Sequence, residues 1–299
     1  MTLQITLSMV SSLISMAFLT LLERKILAYA QLRKGPNKTG LTGLPQPFAD
    51  AVKLITKSAV NPLLSNLTPL VLAPSVALSL SLTLWYLYPT LNSGAHKPLG
   101  VLLFISVSAM AVYTIAMAGW ASNSKYALMG TMRAMAQTIS YEITMVLLLL
   151  FFSLLAKALD FSTLLGNNLS SVPGMMLSWP LLLMWLTVMM AETNRMPFDF
   201  AEGESELVSG FNIEYSGAKF AIFFMAEYLN MLFMSLIASA LFIGVTHLSF
   251  IFTTLFLWAR ATLPRHRYDL MMYLTWKAFL PTSLALLIAM TLPVALTMP

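Results

Sequence analysis

Eight apolar stretches, each long enough or nearly long enough to cross a bilayer, constrain this sequence more than any other feature. They lie at 3–22, 67–87, 99–119, 138–159, 175–191, 219–241, 248–263 and 276–296. A hydrocarbon layer of ~30 Å is crossed by about 20 helical residues. Lipid offers the backbone no hydrogen-bond partners, so such stretches must be helical. The fifth and seventh are short and require burial in the bundle or a thin stretch of membrane. Pro69, Pro74 and Pro180 fall in or near span ends, where a missing amide matters least. Of 299 residues, 58% are hydrophobic and 10% charged, with a mean hydropathy of +0.79. A soluble domain carries about 25% charged residues. The expectation is an all-α, polytopic membrane helix bundle of about eight transmembrane helices plus a short interfacial amphipathic helix. It forms one membrane domain over 1–299. Residues 1–22 lack a basic leader and a small-residue cleavage site, so they read as a retained first span. No repeat of 20–50 residues or inverted-repeat symmetry is visible.

Charge is gathered on one side. The loops after the first, third, fifth and seventh spans hold 15 of the 17 basic residues, leaving only Lys97 and Lys157 for the other side. The positive-inside tendency then turns the charged loops toward the cytoplasm or the mitochondrial matrix, with both termini facing away. The basic residues sit between apolar spans and form no surface stripe, so no nucleic-acid partner is expected despite a pI near 9.4.

Three groups of residues could carry chemistry. Over about 46–57, Phe48, Ala51, Val52 and Ile55 recur at helical spacing, while Gln46, Asp50, Lys53 and Lys57 share the opposite face. That pattern describes a helix lying in the membrane interface. It serves either as a topogenic brace or as one wall of an entrance for an amphipathic ligand. The loop at 192–218 holds six of the chain's 12 acids: Glu192, Asp199, Glu202, Glu204, Glu206 and Glu214. Glu202 and Glu206 would share a helix face and repel. Close carboxylates in a poorly hydrated site cannot all ionise, so these groups suit a proton relay better than a solvated acidic loop. Glu142 and Glu227 fall inside spans, where an ionisable group costs ~2.5–3.5 kcal/mol and function is the default reading. For Glu142 an ion pair with Arg133 or Lys125 is the structural alternative. The cluster Arg265, Arg267 and Asp269 reads as a docking or topogenic surface that could pair with the acidic loop.

Other chemistries find no residues to carry them. With no cysteine, the chain offers no disulfide, thiolate metal ligand or iron–sulfur ligation. His96, His247 and His266 have no metal-ligand spacing. Phosphate-binding glycine loops, dinucleotide fingerprints and nucleophile elbows are absent from the sequence.

Several strings together resemble a known family. They are ERKILAYAQLRKGPN at 23–37, QPFADAVKL at 46–54, QTISYEI at 137–143, AETNR at 191–195, PFD at 197–199, EGESELVSGFNIEY at 202–215 and RHRYD at 265–269. They run in order over almost the whole chain and resemble the membrane subunit 1 family of NADH–ubiquinone oxidoreductase, respiratory complex I, in its mitochondrially encoded form. The resemblance implies a subunit of the mitochondrial inner membrane with its charged loops facing the matrix. There the hydrophilic quinone-reducing module docks, with antiporter-like membrane subunits alongside. It implies ubiquinone as substrate, with NADH, FMN and the Fe–S clusters held only by partner subunits. Arg24, Arg33, Phe48, Asp50 and Phe224 would border the quinone tunnel. Glu142, Glu192, Asp199, Glu202, Glu204, Glu206 and Glu227 would begin the proton pathway. The sequence departs from the family pattern at Ser58, where Glu is usual, and at Lys219, where a small residue or Pro is commoner. A proton-coupled transporter and the homologous membrane subunit of a membrane-bound hydrogenase are the alternatives.

Overall fold

The computed structural model describes residues 2–89, 97–170, 179–201, 203 and 210–296. Among these, every regular element is helical. In chain order they are α1 (Thr2–Ala30), α2 (Gln46–Thr56), α3 (Leu67–Trp85), α4 (Gly100–Ser122), α5 (Lys125–Ala156), α6 (Phe161–Ser170), α7 (Trp179–Glu192), α8 (Ala218–Phe242), α9 (Ser249–Thr262), α10 (Tyr268–Tyr273) and α11 (Leu280–Leu296). Short 3-10 turns cover Gly210–Glu214 and Thr246–Leu248, and a π-helical turn, Leu274–Phe279, joins α10 to α11.

Six of the described helical stretches are long and apolar enough to cross a membrane: Gln4–Ala30, Leu67–Trp85, Gly100–Ser122, Lys125–Ala156, Ala218–Phe242 and Tyr268–Thr291. The shorter α7 is equally apolar. The chain is a polytopic helical bundle and a multi-pass membrane protein. α1 continues to Ala30, eight residues beyond the end of the first expected span, and carries Glu23 inside the helix. The seventh expected span holds the 14-residue α9.

Polar side chains inside the apolar helices satisfy themselves locally. Ser81, Ser108 and Thr114 donate their hydroxyls to the carbonyls of Leu78, Ile105 and Ala111 at 2.7–2.9 Å. This back-bonding lets a hydroxyl enter an apolar interior without an orphaned donor. Pro74, inside α3, is buried. Close packing sets the α4–α5 approach. A Cβ on Gly119 would lie 2.0 Å from Cγ2 of Thr131, so only glycine lets these helices meet.

α8 is the hub, touching α1, α2, α3, α6, α7 and α9. Its lower half packs Phe233 against Trp85 and Phe104, and Phe242 against Phe152 and Trp185, with ring centroids 5.0–6.5 Å apart. α2 stands apart. It buries none of its residues and leaves Phe48, Val52 and Ile55 more than half exposed, as an interfacial helix with its apolar face toward lipid does. In the loop between α3 and α4, Lys97 places its ammonium 3.9 Å above the Tyr86 ring. Burial pushes that ammonium below its ordinary pKa, while Asp160 opposes the shift.

Candidate functional site

The interfacial helix begins at proline and is tied to α1 by charge. Arg24 Nη1 lies 2.6 Å from Asp50 Oδ2, and Gln46 Nε2 donates to the other Asp50 oxygen at 3.0 Å. Phe48 meets the edge of Phe18 with centroids 6.0 Å apart. Arg24, Phe48 and Asp50 therefore form one cluster at the α1–α2 junction. Arg33 is exposed in the turn after α1 and makes no contact with that cluster among the described residues. Phe224 belongs to a second group, with its ring tilted against Phe220 at a centroid distance of 4.3 Å and beneath Arg195 at 5.4 Å.

The start of the acidic loop is held by buried polar contacts. Gln137 of α5 donates from Nε2 to the carbonyls of both Ala191 and Phe198 at 2.9 Å, clamping the turn that follows α7. Asn194 takes the left-handed conformation there (φ 49°), and the Met196–Pro197 bond is cis. Phe198 is stacked on His266 at 5.5 Å and packs against Tyr141. Arg265 reaches Asp199 at 3.4 Å, and the His266 amide donates to the Pro197 carbonyl. The acidic loop and the 265–269 cluster thus meet through Arg265. Arg267 pairs instead with its near neighbour Asp269 at 2.9 Å. Glu202, Glu204 and Glu206 lie outside the described residues. Nearby Tyr215 packs on Phe223, and burial pushes its phenol up, so it stays neutral at ordinary pH.

Between these regions runs a chain of charged and aromatic groups. Glu227 pairs with Arg195 at 3.1 Å. The Arg195 guanidinium lies 4.6 Å over the ring of Tyr228. The Tyr228 hydroxyl donates to Oε2 of Glu23 at 2.5 Å, and the other Glu23 oxygen is ion-paired with Arg260 of α9. Glu23 is only 4% exposed. A buried carboxylate is tolerated only when paired and hydrogen-bonded, and Arg260 and Tyr228 meet both conditions.

Glu192 and Glu227 open on the same internal cavity. It has a volume of about 80 Å³ and lies between α3, α4, α5, α7 and α8, with Ser81, Ser108, Thr114 and Thr138 in its wall. Three buried acceptors of this wall have no donor among the described residues: Glu192 Oε2, Asn194 Oδ1 and Asn230 Oδ1. Polar groups around space of this size suit water. Glu142, on α5, is half-buried. The arrangement places two carboxylates on one cavity, with the Arg195 guanidinium paired to one of them.

A model of the NADH dehydrogenase family matches residues 3–291. The chain belongs to that family. It is 48% identical over 300 residues to NADH-ubiquinone oxidoreductase chain 1 of Monodelphis domestica, covering 95% of this chain and 94% of that protein. The protein of the same name from Anopheles gambiae is 51% identical over 279 residues, with 91% and 88% covered. That from Papio hamadryas is 48% identical over 311 residues, with 99% and 98% covered.

In this member of the NADH dehydrogenase family, the polar groups that sequence reasoning missed are Glu23, Arg260, Gln137, Asn194, Tyr228 and Asn230. Glu23 and Arg260 stand near the ends of the first and seventh apolar stretches, where a charge needs no partner. The available signal was the helical register. Glu23 continues the periodicity of α1 through Ala30, so it lies inside a helix and needs a partner. Asn230 sits three residues after Glu227, on the same helix face.

Proposed function

We propose that this chain is the core membrane subunit of a proton-pumping NADH:ubiquinone oxidoreductase of the mitochondrial inner membrane, with its charged loops facing the matrix. It forms the quinone access path and the carboxylate-rich start of the proton pathway. The observation that carries this reading is the shared cavity of Glu192 and Glu227, with Glu227 tied through Arg195 and Tyr228 to Glu23 and Arg260. The names of its relatives supply the substrates. The hydrophilic quinone-reducing module and the antiporter-like membrane subunits are its partners, and NADH, FMN and the Fe–S clusters belong to those partners.

The mechanism follows from charge. Reduction of a quinone to a quinol takes two electrons and two protons, so a negative charge develops at the head group until protons arrive. Arg24 and Asp50 flank the membrane side of the path, with Phe48 and Phe18 offering aromatic faces to an isoprenoid tail. Phe224 and Arg195 continue the path inward. Charge appearing near Arg195 perturbs the pair it forms with Glu227. That perturbation changes how Glu227, Glu192 and Glu142 share protons through the cavity.

The test is Glu192→Gln in the assembled enzyme, since Gln keeps the shape and most hydrogen bonding but cannot titrate. Ubiquinone-linked turnover should fall about a hundredfold, the effect of losing one general acid–base group at the low end, or fewer protons should move per electron. Full stoichiometry at normal turnover would leave Glu192 a structural role and overturn the reading.

A further inference from the structure

Beside the α1–α2 junction the chain builds a groove that neither the quinone path nor the proton path uses beyond Phe18. It is open along one side, has a volume of about 390 Å³ and runs along α1 from Phe18 past Leu22, Lys25 and Ile26 to Tyr29, under Thr42 and Leu44. At 1.5 Å per residue, that stretch of α1 is about 16 Å long. This is close to the depth of one leaflet, half of a ~30 Å hydrocarbon core.

Two glycines hold the roof. Gly35 has φ 66°, and a Cβ there would stand 3.1 Å from Ala28 Cβ and 3.3 Å from the Arg24 carbonyl. The backbone therefore lies directly on α1 beside Lys25, bringing Lys34 with it. Gly43 has φ 80°, and its Cβ would stand 2.5 Å from the Pro36 carbonyl. The loop is closed on itself there, which sets Thr42 and Leu44 over the groove. The lining grades from wholly apolar at Phe18 and Leu22 to Lys25 and Tyr29 at the level of the charged loops. Neighbouring Arg24 is ion-paired with Asp50, whereas Lys25 has no carboxylate partner among the described residues. An unpaired lysine above an apolar slot calls for an anion at the membrane surface.

We propose that this groove binds one anionic phospholipid. An acyl chain lies along Phe18, Leu22 and Ile26 beneath Leu44. The phosphate sits against the Lys25 ammonium, with the Tyr29 hydroxyl as a further donor and Lys34 adding positive charge. A quinone, whose head is neutral, gains nothing from that cation. The proposal stands apart from the quinone and proton readings and needs neither.

The experiment uses the assembled complex in phosphatidylcholine vesicles. These are doped with phosphatidylglycerol or phosphatidylcholine carrying the same photoactivatable group on the acyl chain. Labelling is read on the peptide that spans residues 18–29. Phosphatidylglycerol should label this peptide about five-fold more than phosphatidylcholine, the worth of one cation near an anionic surface. Lys25→Gln should bring the two to parity, and Lys25→Arg should keep the preference. Leu44→Trp, which fills the slot from its exposed roof and leaves the cation in place, should lower both labels. Parity in the unaltered complex would overturn the proposal. So would a preference that survives Lys25→Gln, labelling untouched by Leu44→Trp, or displacement of the label by a short-chain ubiquinone.

Discussion

The Tyr228 hydroxyl donates to Oε2 of Glu23 at 2.5 Å, joining the middle of α8 to the C-terminal third of α1 across 205 positions of sequence. The same Tyr228 carries the Arg195 guanidinium over its ring. One residue thereby couples the acidic loop to the buried pair of Glu23 and Arg260.

That pair yields a prediction with an internal control. Arg260→Leu leaves Glu23 buried without its counter-charge, which costs about 3–5 kcal/mol for a broken buried pair. The amount of assembled complex on native gels should drop several-fold. Glu23→Gln together with Arg260→Leu removes both charges, and Gln still accepts from Tyr228. The double variant should recover most of the assembly. Equal loss in the single and double variants would mean that the pair's charge is not what holds α1 to α9.

A run of charge at Glu23, Arg24 and Lys25 looks like the end of a span, because an unpaired charge ends burial. The structure runs the helix on to Ala30 because each charge finds a separate solution. Glu23 is paired with Arg260 and Tyr228, Arg24 is paired with Asp50, and Lys25 lines the open groove beside Tyr29. The partners lie 26 to 237 positions away, and no spacing rule reveals such pairs. The helical fold class and the amphipathic helix at Gln46–Thr56 were legible, since hydropathy and periodicity are local. Glu227 was legible as an intramembrane acid, but its partner Arg195 had counted only as a topogenic charge.

The quinone entrance gives a kinetic prediction. Phe48 is half exposed and touches Phe18, so Phe48→Ala removes aromatic surface with little effect on packing inside the bundle. The apparent KM for ubiquinone should rise about ten-fold, as expected for losing roughly 1–1.5 kcal/mol of tail contact. NADH oxidation with an artificial acceptor measures the electron-input side separately. A parallel fall in both reactions would point to failed assembly and remove support for the entrance.

Topology follows from the charge asymmetry. Single tags or protease sites placed beside Lys34, Lys125, Glu204 and Arg265 should all be reached from one side of the membrane, the matrix side. Sites beside Lys97 and Lys157 should be reached only from the other. The pairing of Arg265 with Asp199 already requires two of these loops to share a face. Accessibility that groups Lys97 with Glu204 would refute the orientation.

The Gln137 clamp separates positioning from titration. Its amide nitrogen donates to the Ala191 and Phe198 carbonyls, which bracket Glu192 and Arg195, and it has no proton to exchange in the working pH range. Gln137→Met has a similar volume and deletes both bonds. Each is worth about 0.5–1.5 kcal/mol, so the turn should loosen by roughly 1–3 kcal/mol. Local hydrogen exchange at 191–198 should accelerate by one to two orders of magnitude. Ubiquinone-linked turnover should fall, because Glu192 loses its fixed place on the cavity. The pH profile of the remaining activity should keep its shape, since no titrating group has been removed, whereas Glu192→Gln should flatten one limb of that profile. Unchanged exchange at 191–198 in Gln137→Met would show that the clamp does not hold the turn. A flattened profile in Gln137→Met would show that the amide acts on titration and not on position.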